Sequence, residues 1–417
     1  MNAVEAVLRG LPGVAVLLLI GIAFSADRRA IRTRTVGAAL LLQVGIGALI
    51  LFVPPGRAAL HVASNAVNAV LGYGNDGVAF VFGALVSDRM FTLFPDNGFV
   101  FGLRVLPQII YISALIAVLY HWGVMQALAK GLGGLVRRLL GTSRIESFSA
   151  VTTIFLGQSE MPVALKPFVP MLTRAELFAV MSSGTASVAG SVLAGYAGLG
   201  VKLDYLLAAS FMAIPGGLLF AKLLLPTTEP TRIETVQVQF EQKRAANIFE
   251  AISAGTTNGI HVAVSVGAML IAFIGLIACL NGLIGLLGRL AGMPGLSLEM
   301  LLGAVFRPLA WLIGVAWPEA GTVGGVVGQK LVFNEFVAYV HLSPLIRNNA
   351  LSTHAVAIAS FALCGFANLS SIGVLLAGYG SVAEEKRAEV ARLGLRAVLA
   401  GTLSNLMSAT IAGMFIS

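Results

Sequence analysis

Two short polar stretches interrupt an otherwise apolar chain, and each carries a carboxylate able to hold a ligand. The first is Gly157-Gln158-Ser159-Glu160-Met161-Pro162. The second is Asn334-Glu335-Phe336, with Phe366-Ala367-Asn368-Leu369-Ser370-Ser371 following downstream. A carboxylate in the middle of a spanning segment costs roughly 2.5–3.5 kcal/mol on insertion scales, so it persists where it faces a cavity, a partner or a ligand. Gln158, Ser159 and Glu160 offer an amide, a hydroxyl and a carboxylate on one tip. Their other reading is structural: they satisfy backbone groups freed by Gly157 and Pro162, a task to which glutamate is poorly suited. Glu335 has Asn334 and Asn368 as polar company but no Lys or Arg within one helical turn; Gln329 and Lys330 approach it only if the segment folds back. An unpaired carboxylate must be protonated, bind a cation or meet a donor-rich ligand. All three suit a coupled transporter.

The elements that position these residues must lie in a membrane. Of 417 residues, 57% are hydrophobic and 11% charged, and the mean hydropathy of +0.90 is outside the range of water-soluble globular chains. Apolar segments of roughly 18–22 residues recur, each long enough to cross about 30 Å of hydrocarbon as a helix. They are continuous rather than alternating, which excludes a β-barrel. The net charge of +8 sits in short Lys and Arg clusters between apolar segments, a topology signal and not a nucleic-acid surface. Cys279 and Cys364 lie far apart in apolar sequence and read as core residues. The five histidines are scattered without metal-binding spacing.

Segments 11–26 and 36–53 read as the first two spans, with Arg28, Arg29, Arg32 and Arg34 between them marking the cytoplasmic side. The first ends in Phe24-Ser25-Ala26, much like a signal-peptide cleavage site. Glu5 and a single Arg precede it, however, and the basic cluster follows it, which favours a first helix with its N-terminus outside. Residues 57–96, rich in Gly, Asn and Asp, read as an outer interfacial stretch containing a short amphipathic helix. A third span, 99–121, leads to an amphipathic inner-surface segment at 125–140 and to Lys130, Arg137, Arg138 and Arg144.

Segment 146–172 is broken by Gly157-Gln158-Ser159-Glu160 and Pro162 into halves too short to span. Two such arms describe a re-entrant hairpin, which the bilayer tolerates only when protein surrounds it. Full spans are expected at 176–199 and 205–225, then a hydrophilic linker at 226–246. The second half repeats the plan: a long apolar segment at 259–287, a broken one at 297–345 with the Asn334-Glu335 tip, and a span at 352–379 interrupted by Gly365-Phe366-Ala367-Asn368. A cytoplasmic cluster at 384–396 and a final span at 395–415 complete it. Counting crossings makes the two hairpins enter from opposite faces, the arrangement of inverted repeats in secondary transporters. The expected fold is therefore an all-α polytopic membrane protein of about eight transmembrane helices plus two opposed re-entrant hairpins. Its divisions are 1–125 (N-terminal spans and interfacial segment, largely scaffold), 126–225 (first half of a transport core), 226–247 (cytoplasmic linker) and 248–417 (second half and C-terminal spans).

Gly157-Gln158-Ser159-Glu160 followed by Pro162 resembles the Gly-Gln-Thr/Ser-Glu-x-Pro signature of the concentrative nucleoside transporter family. Three further blocks agree in order and rough spacing: 177–196, which ends in Ala189-Gly190-Ser191-Val192-Leu193-Ala194-Gly195-Tyr196; Asn334-Glu335-Phe336-Val337-Ala338-Tyr339; and Cys364-Gly365-Phe366-Ala367-Asn368. The match covers most of the chain from the third span onward. The charge count puts both termini on the periplasmic side of a bacterial inner membrane, and the resemblance implies a homotrimer. In it, an inverted-repeat transport domain carries nucleoside across a trimeric scaffold by an elevator-like movement. It also implies that Gln158, Ser159 and Glu160 contact the base of uridine, cytidine or adenosine, with Val192 against it. Glu335, Asn368 and Ser371 hold the ribose, and Phe366 packs nearby. A carboxylate can accept from two adjacent hydroxyls, and amides can read base edges. Two glutamates without a matched Arg or Lys repel phosphate, so nucleosides fit better than nucleotides.

The chain departs from the family's sodium-coupled members at one position: they carry Asn four residues before the signature Gly, and here Thr153 stands there. Leu156 offers a backbone oxygen and Ser187 a hydroxyl. Thr153, Leu156 and Ser187 thus form a candidate sodium set with one weaker ligand. A proton on Glu160 or Glu335 is the alternative coupling ion; sodium is preferred because the rest of the region is retained. No cofactor beyond the coupling ion is expected. A transporter of a cationic amine or a sugar would also use midplane carboxylates. An intramembrane enzyme is the rival outside transport, but the sequence offers no metal triad, nucleophile elbow or nucleophile and base pair.

Overall fold

The computed structural model describes residues 3–94, 98–231, 245–293 and 295–416, and the ordered elements among them are all helical. The chain opens with α1 (Ala3–Ala23), whose apolar part Val7–Ala23 is shorter than a full span, and α2 (Thr33–Gly47, continued by a π turn at Ala48–Phe52), which is long enough to cross a membrane. Next come α3 (Pro54–Phe82), α4 (Leu106–His121) and α5 (Val124–Leu140). The first half closes with α6 (Arg144–Thr152), α7 (Arg174–Ala186), α8 (Gly190–Gly198) and α9 (Leu203–Leu224). The second contains α10 (Ile248–Leu290), α11 (Leu298–Leu312), α12 (Trp317–Val332), α13 (Glu335–Arg347), α14 (Thr353–Leu363), α15 (Ser370–Val382) and α16 (Arg387–Phe415). Among the described residues, seven helices are long and apolar enough to cross a membrane, or eight if one bent pair counts as a span.

Local sequence explains where the elements begin. Ser143-Arg144-Ile145-Glu146 and Thr173-Arg174-Ala175-Glu176 are reciprocal capping boxes that start α6 and α7. Both cap glutamates are buried, and Glu146 is also paired with Lys222 of α9. Amphipathic α5 is bounded by Gly123 and Gly141, both left-handed (φ 81° and 65°), a conformation glycine adopts without a Cβ penalty. In α10, Ala251, Gly255, Gly259 and Ala263 recur every fourth residue and are buried. They let its backbone approach α4 at Ser113 and Ile110, the small-residue packing typical of membrane helices. At the centre lies α16, contacted by α1, α7, α9, α14 and α15. Leu17 of α1 is fully buried, and α1 packs along α16.

Hydrogen bonds fix which ends lie together. At one end, Ala26 N donates to Leu224 O (2.9 Å) and Lys386 Nζ to Leu172 O (2.9 Å). At the other, Arg9 Nη2 donates to Val315 O (2.9 Å), Ser352 Oγ to Glu319 (2.9 Å), and His354 Nδ1 meets Ile416 O (3.1 Å). Arg9 lies in the first half of α1 and Ala26 just past its C-terminus, roughly 25 Å apart along the helix axis, so these are opposite ends of the bundle. The hairpin based at residues 144–172 therefore enters from one end and the hairpin α12–α13 from the other, as the charge count requires.

Five expectations need correction. The segment 57–96 holds a 29-residue helix, α3, rather than a short one. It is long enough to span, but His61 meets Asp204 at the start of α9 (3.4 Å) and Asn75 meets Gln108 at the start of α4, so it lies across that end of the bundle. The span at 176–199 is broken at Ser187-Val188-Ala189 between α7 and α8. The broken segment 297–345 is three helices: α11 turns by 116° into α12, and only α12 and α13 form the hairpin. The final helix starts earlier than 395, since charged residues 387–396 already form the first turns of α16. Cys364 is buried as expected, whereas Cys279 is exposed on α10. Most of the expected linker at 226–247 lies outside the described residues.

Candidate functional site

The two hairpin tips and the second helix break meet in one hydrogen-bonded chain, and the first break is tied to it through the backbone. At the first tip, Gln158 Nε2 donates to Ser371 Oγ (2.8 Å). Ser371 N donates to Asn368 Oδ1 (2.9 Å), and Asn368 Nδ2 donates to Glu335 Oε2 (3.1 Å) at the second tip. The other Glu335 oxygen accepts from Tyr196 Oη (3.0 Å). Gln158, Asn368, Glu335 and Ser371 are all buried. Phe366 N donates to Ser187 O (3.1 Å), which ties the second break to the first.

Asn334 is the N-cap of α13, its side chain accepting from Val337 N (2.9 Å), so Glu335 sits in the first turn where a helix favours negative charge. Its environment is otherwise aromatic. The Tyr196 ring lies 4.7 Å from Phe336 and 4.5 Å from Tyr339. The sequence left open whether Gln329 and Lys330 neutralise Glu335. Gln329 engages His341, and the Lys330 ammonium hydrogen-bonds to Ala362 O and Asn405 Oδ1 rather than to Glu335, although it is close enough to act on that carboxylate through space.

The first tip divides its three polar residues. Gln158 turns inward to Ser371, and its Oε1 is a buried acceptor without a partner. Ser159 and Glu160 turn the other way, into a cavity of about 700 Å³ that they line with Tyr120, Ser191 and Asn258. Glu160 Oε2 accepts from Gly157 N (3.1 Å), and Oε1 accepts from Asn258 Nδ2 of α10 (2.8 Å). A volume of that order is within the usual range for small-molecule sites. Phe366 is half-buried, and its ring would lie 3.7 Å from a Cβ placed on Gly157. Val192 is buried on the first turn of α8, just past the break.

Two of the three candidate ion ligands, Thr153 and Ser187, are in contact. Ser187 Oγ donates to Thr153 O (3.2 Å), while Thr153 Oγ1 donates to Ala150 O (2.9 Å) and keeps its lone pairs. Thr153, Leu156 and Ser187 are all buried. Hydroxyl and carbonyl oxygens at an unwound helix are the donor set a hard monovalent cation takes.

Tyr196, Asn258 and Asn405 were missed as partners in the sequence. Tyr196 ends the block 189–196, where an aromatic residue reads as packing, and the two asparagines are polar interruptions of apolar helices, the one available signal.

Opposed hairpins and paired helix breaks around a buried polar network define a secondary transporter built on inverted repeats. The chain belongs to the concentrative nucleoside transporter family. Family profiles for the C-terminus and N-terminus of Na+ dependent nucleoside transporters match residues 205–413 and 12–85, and a nucleoside-recognition profile matches 102–202. The chain is 50% identical to the putative nucleoside permease NupX of Escherichia coli (strain K12), over 98% of this chain and 99% of that protein. It is 46% identical to the nucleoside permease NupC of Helicobacter pylori, over 97% and 96% respectively. Among solved structures, CNTnw in an inward-facing substrate-bound state superposes with a TM-score of 0.93 at 53% identity, covering 99% of both chains. A CNTnw double variant in an outward-facing state superposes with a TM-score of 0.96, also at 53% identity and with 99% of both chains covered.

Proposed function

We propose that the protein is a sodium-coupled symporter that imports nucleosides such as uridine, cytidine or adenosine across a bacterial inner membrane, as a homotrimer with periplasmic termini. The observation that carries this reading is the chain Gln158–Ser371–Asn368–Glu335, whose members are neutral or anionic and drawn from both hairpins and the second helix break. Glu335 accepts from the two ribose hydroxyls, with Asn368 and Ser371 completing that end. Gln158, Ser159 and Glu160 read the base, with Val192 and Phe366 against its faces. Entry of the base requires Gln158 to leave Ser371 and Glu160 to leave Asn258, so the bound tip differs from this one in side-chain partners.

Thr153, Leu156 and Ser187 hold the sodium ion, supplying oxygen ligands at the first helix break. Occupying that site fixes the break and the hairpin tip together, which couples ion to nucleoside. The helices α4 and α10, joined by their small-residue seam, suit the fixed scaffold. The hairpins and broken helices around α16 suit the moving part of an elevator.

A cationic amine is the competing substrate, favoured by the two carboxylates. Competition against radiolabelled uridine separates the readings: unlabelled uridine or adenosine displaces the label, while spermidine and glucose leave it bound. Displacement by spermidine alone would overturn the nucleoside assignment.

A further inference from the structure

The second repeat contains a buried lysine with no part in the substrate chemistry above. Lys330, near the end of α12, is 2% exposed. Its Nζ donates to Ala362 O (2.8 Å) and to Asn405 Oδ1 (2.7 Å). Asn405 Nδ2 in turn donates to Ala186 O (2.6 Å) and Cys364 O (3.0 Å). Ala186 is the last residue of α7, and Ala362 and Cys364 belong to the end of α14. The ammonium and the amide therefore sit among carbonyls at the C-terminal ends of two half-helices. Such ends attract positive charge, and in inverted-repeat transporters they help to coordinate coupling cations.

The position of Lys330 within its repeat is informative. One constant offset in sequence lays Gly157-Gln158 on Asn334-Glu335, Ser187 on Cys364 and Thr153 on Lys330. Thr153 and Ser187 are 34 residues apart and joined by the bond from Ser187 Oγ to Thr153 O. Lys330 and Cys364 stand at the same separation and are joined through Asn405. The hairpin and break of the second repeat are also stitched directly, by Leu369 N to Leu331 O (3.0 Å). The residue at the counterpart of the candidate ion ligand Thr153 is thus one that carries its own cation.

We propose that Lys330 is a tethered cation: its ammonium fills the second repeat's counterpart of the sodium site, so that one sodium ion, not two, accompanies each nucleoside. It acts as a positioning residue, holding the second break and the Glu335 end of α13 together with a built-in charge, where the first repeat uses a sodium ion. The proposal rests on the sodium-site reading of Thr153, Leu156 and Ser187. A purely space-filling role makes the opposite forecast for an uncharged side chain of similar length, because replacing a buried charge by a well-packed apolar group is often neutral or stabilising.

The test is uridine binding to the purified full-length protein across a sodium series balanced with choline, in wild type, Lys330→Met and Lys330→Arg. Wild type should show a sodium dependence with slope near one. Lys330→Met should bind uridine about tenfold more weakly at low sodium, about 1.4 kcal/mol, and regain affinity with a slope approaching two. Lys330→Arg should assemble and keep the slope of wild type. A Met variant with unchanged affinity and slope overturns the proposal. If the Met variant does not assemble, failure of the Arg variant to assemble or to keep a slope near one overturns it as well. Should wild type bind no nucleoside, the nucleoside reading fails on its own. Sodium-dependent thermal stability then decides the lysine: a second sodium-dependent rise in Lys330→Met supports a tethered cation, and identical curves overturn it.

Discussion

Glu335→Gln should lower uridine affinity by about 30- to 1,000-fold and abolish accumulation, while the protein still inserts and assembles. The range follows from losing most of two hydrogen bonds to a charged acceptor, about 2–4 kcal/mol in total. Glutamine preserves shape but reverses chemistry at one of its two ends. The carboxylate accepts from Tyr196 Oη on one oxygen and Asn368 Nδ2 on the other, so an amide NH2 must oppose one of those donors. It also presents a donor where ribose hydroxyls need an acceptor. Radiolabelled uridine binding and uptake check this, with size-exclusion chromatography as the control for assembly. Wild-type uptake in the variant would remove Glu335 from the site.

Gly365→Ala should cost about 3–5 kcal/mol of stability, through overpacking and a lost partner for a buried charge. A Cβ on Gly365 overlaps the amide of Asn405 on both its oxygen and its nitrogen. That amide cannot simply swing aside. It holds Ala186 O and Cys364 O with its nitrogen and the Lys330 ammonium with its oxygen. Displacing it frees two helix-end carbonyls and leaves a buried ammonium with one fewer acceptor. Thermal unfolding in detergent should show a clearly lowered midpoint, and uptake should fall with it. An unchanged midpoint would mean that the two helix breaks do not depend on the Asn405 bridge.

The hairpins were legible in the sequence because each places a carboxylate between arms too short to span, with Gly and Pro at the first tip. Their opposed entry was legible in the positions of Arg28, Arg29, Lys386 and Arg387. The break between α7 and α8 was not, because Ser187-Val188-Ala189 contains neither Gly nor Pro and reads as continuous helix. What opens it is tertiary: Ser187 O accepts from Phe366 N, and Ala186 O from Asn405, on elements far along the chain. α11 was not separable from the second hairpin in the sequence because the apolar segment 297–345 carries two prolines: Pro308 lies inside α11, while Pro318 starts α12 just after the turn. At the site, the polar residues at the tips announced themselves by their cost in a membrane. The partner of Glu335 did not, since Tyr196 is 139 residues away in sequence and an aromatic residue in a span is usually packing. The position of Phe366 two residues before Asn368 lets it flank a polar pocket, whereas a role for Val192 comes from family resemblance alone.

The central claim is that the two-hairpin site couples nucleoside to sodium. It is tested most directly by radiolabelled uridine uptake into proteoliposomes of the purified full-length protein under an inward sodium gradient, beside an inward proton gradient of equal size without sodium. Accumulation above equilibrium with sodium alone is the expected result. It would show that the Thr153 hydroxyl serves in place of the amide found in sodium-coupled relatives. Accumulation with protons alone would contradict the sodium assignment and move coupling onto Glu160 or Glu335.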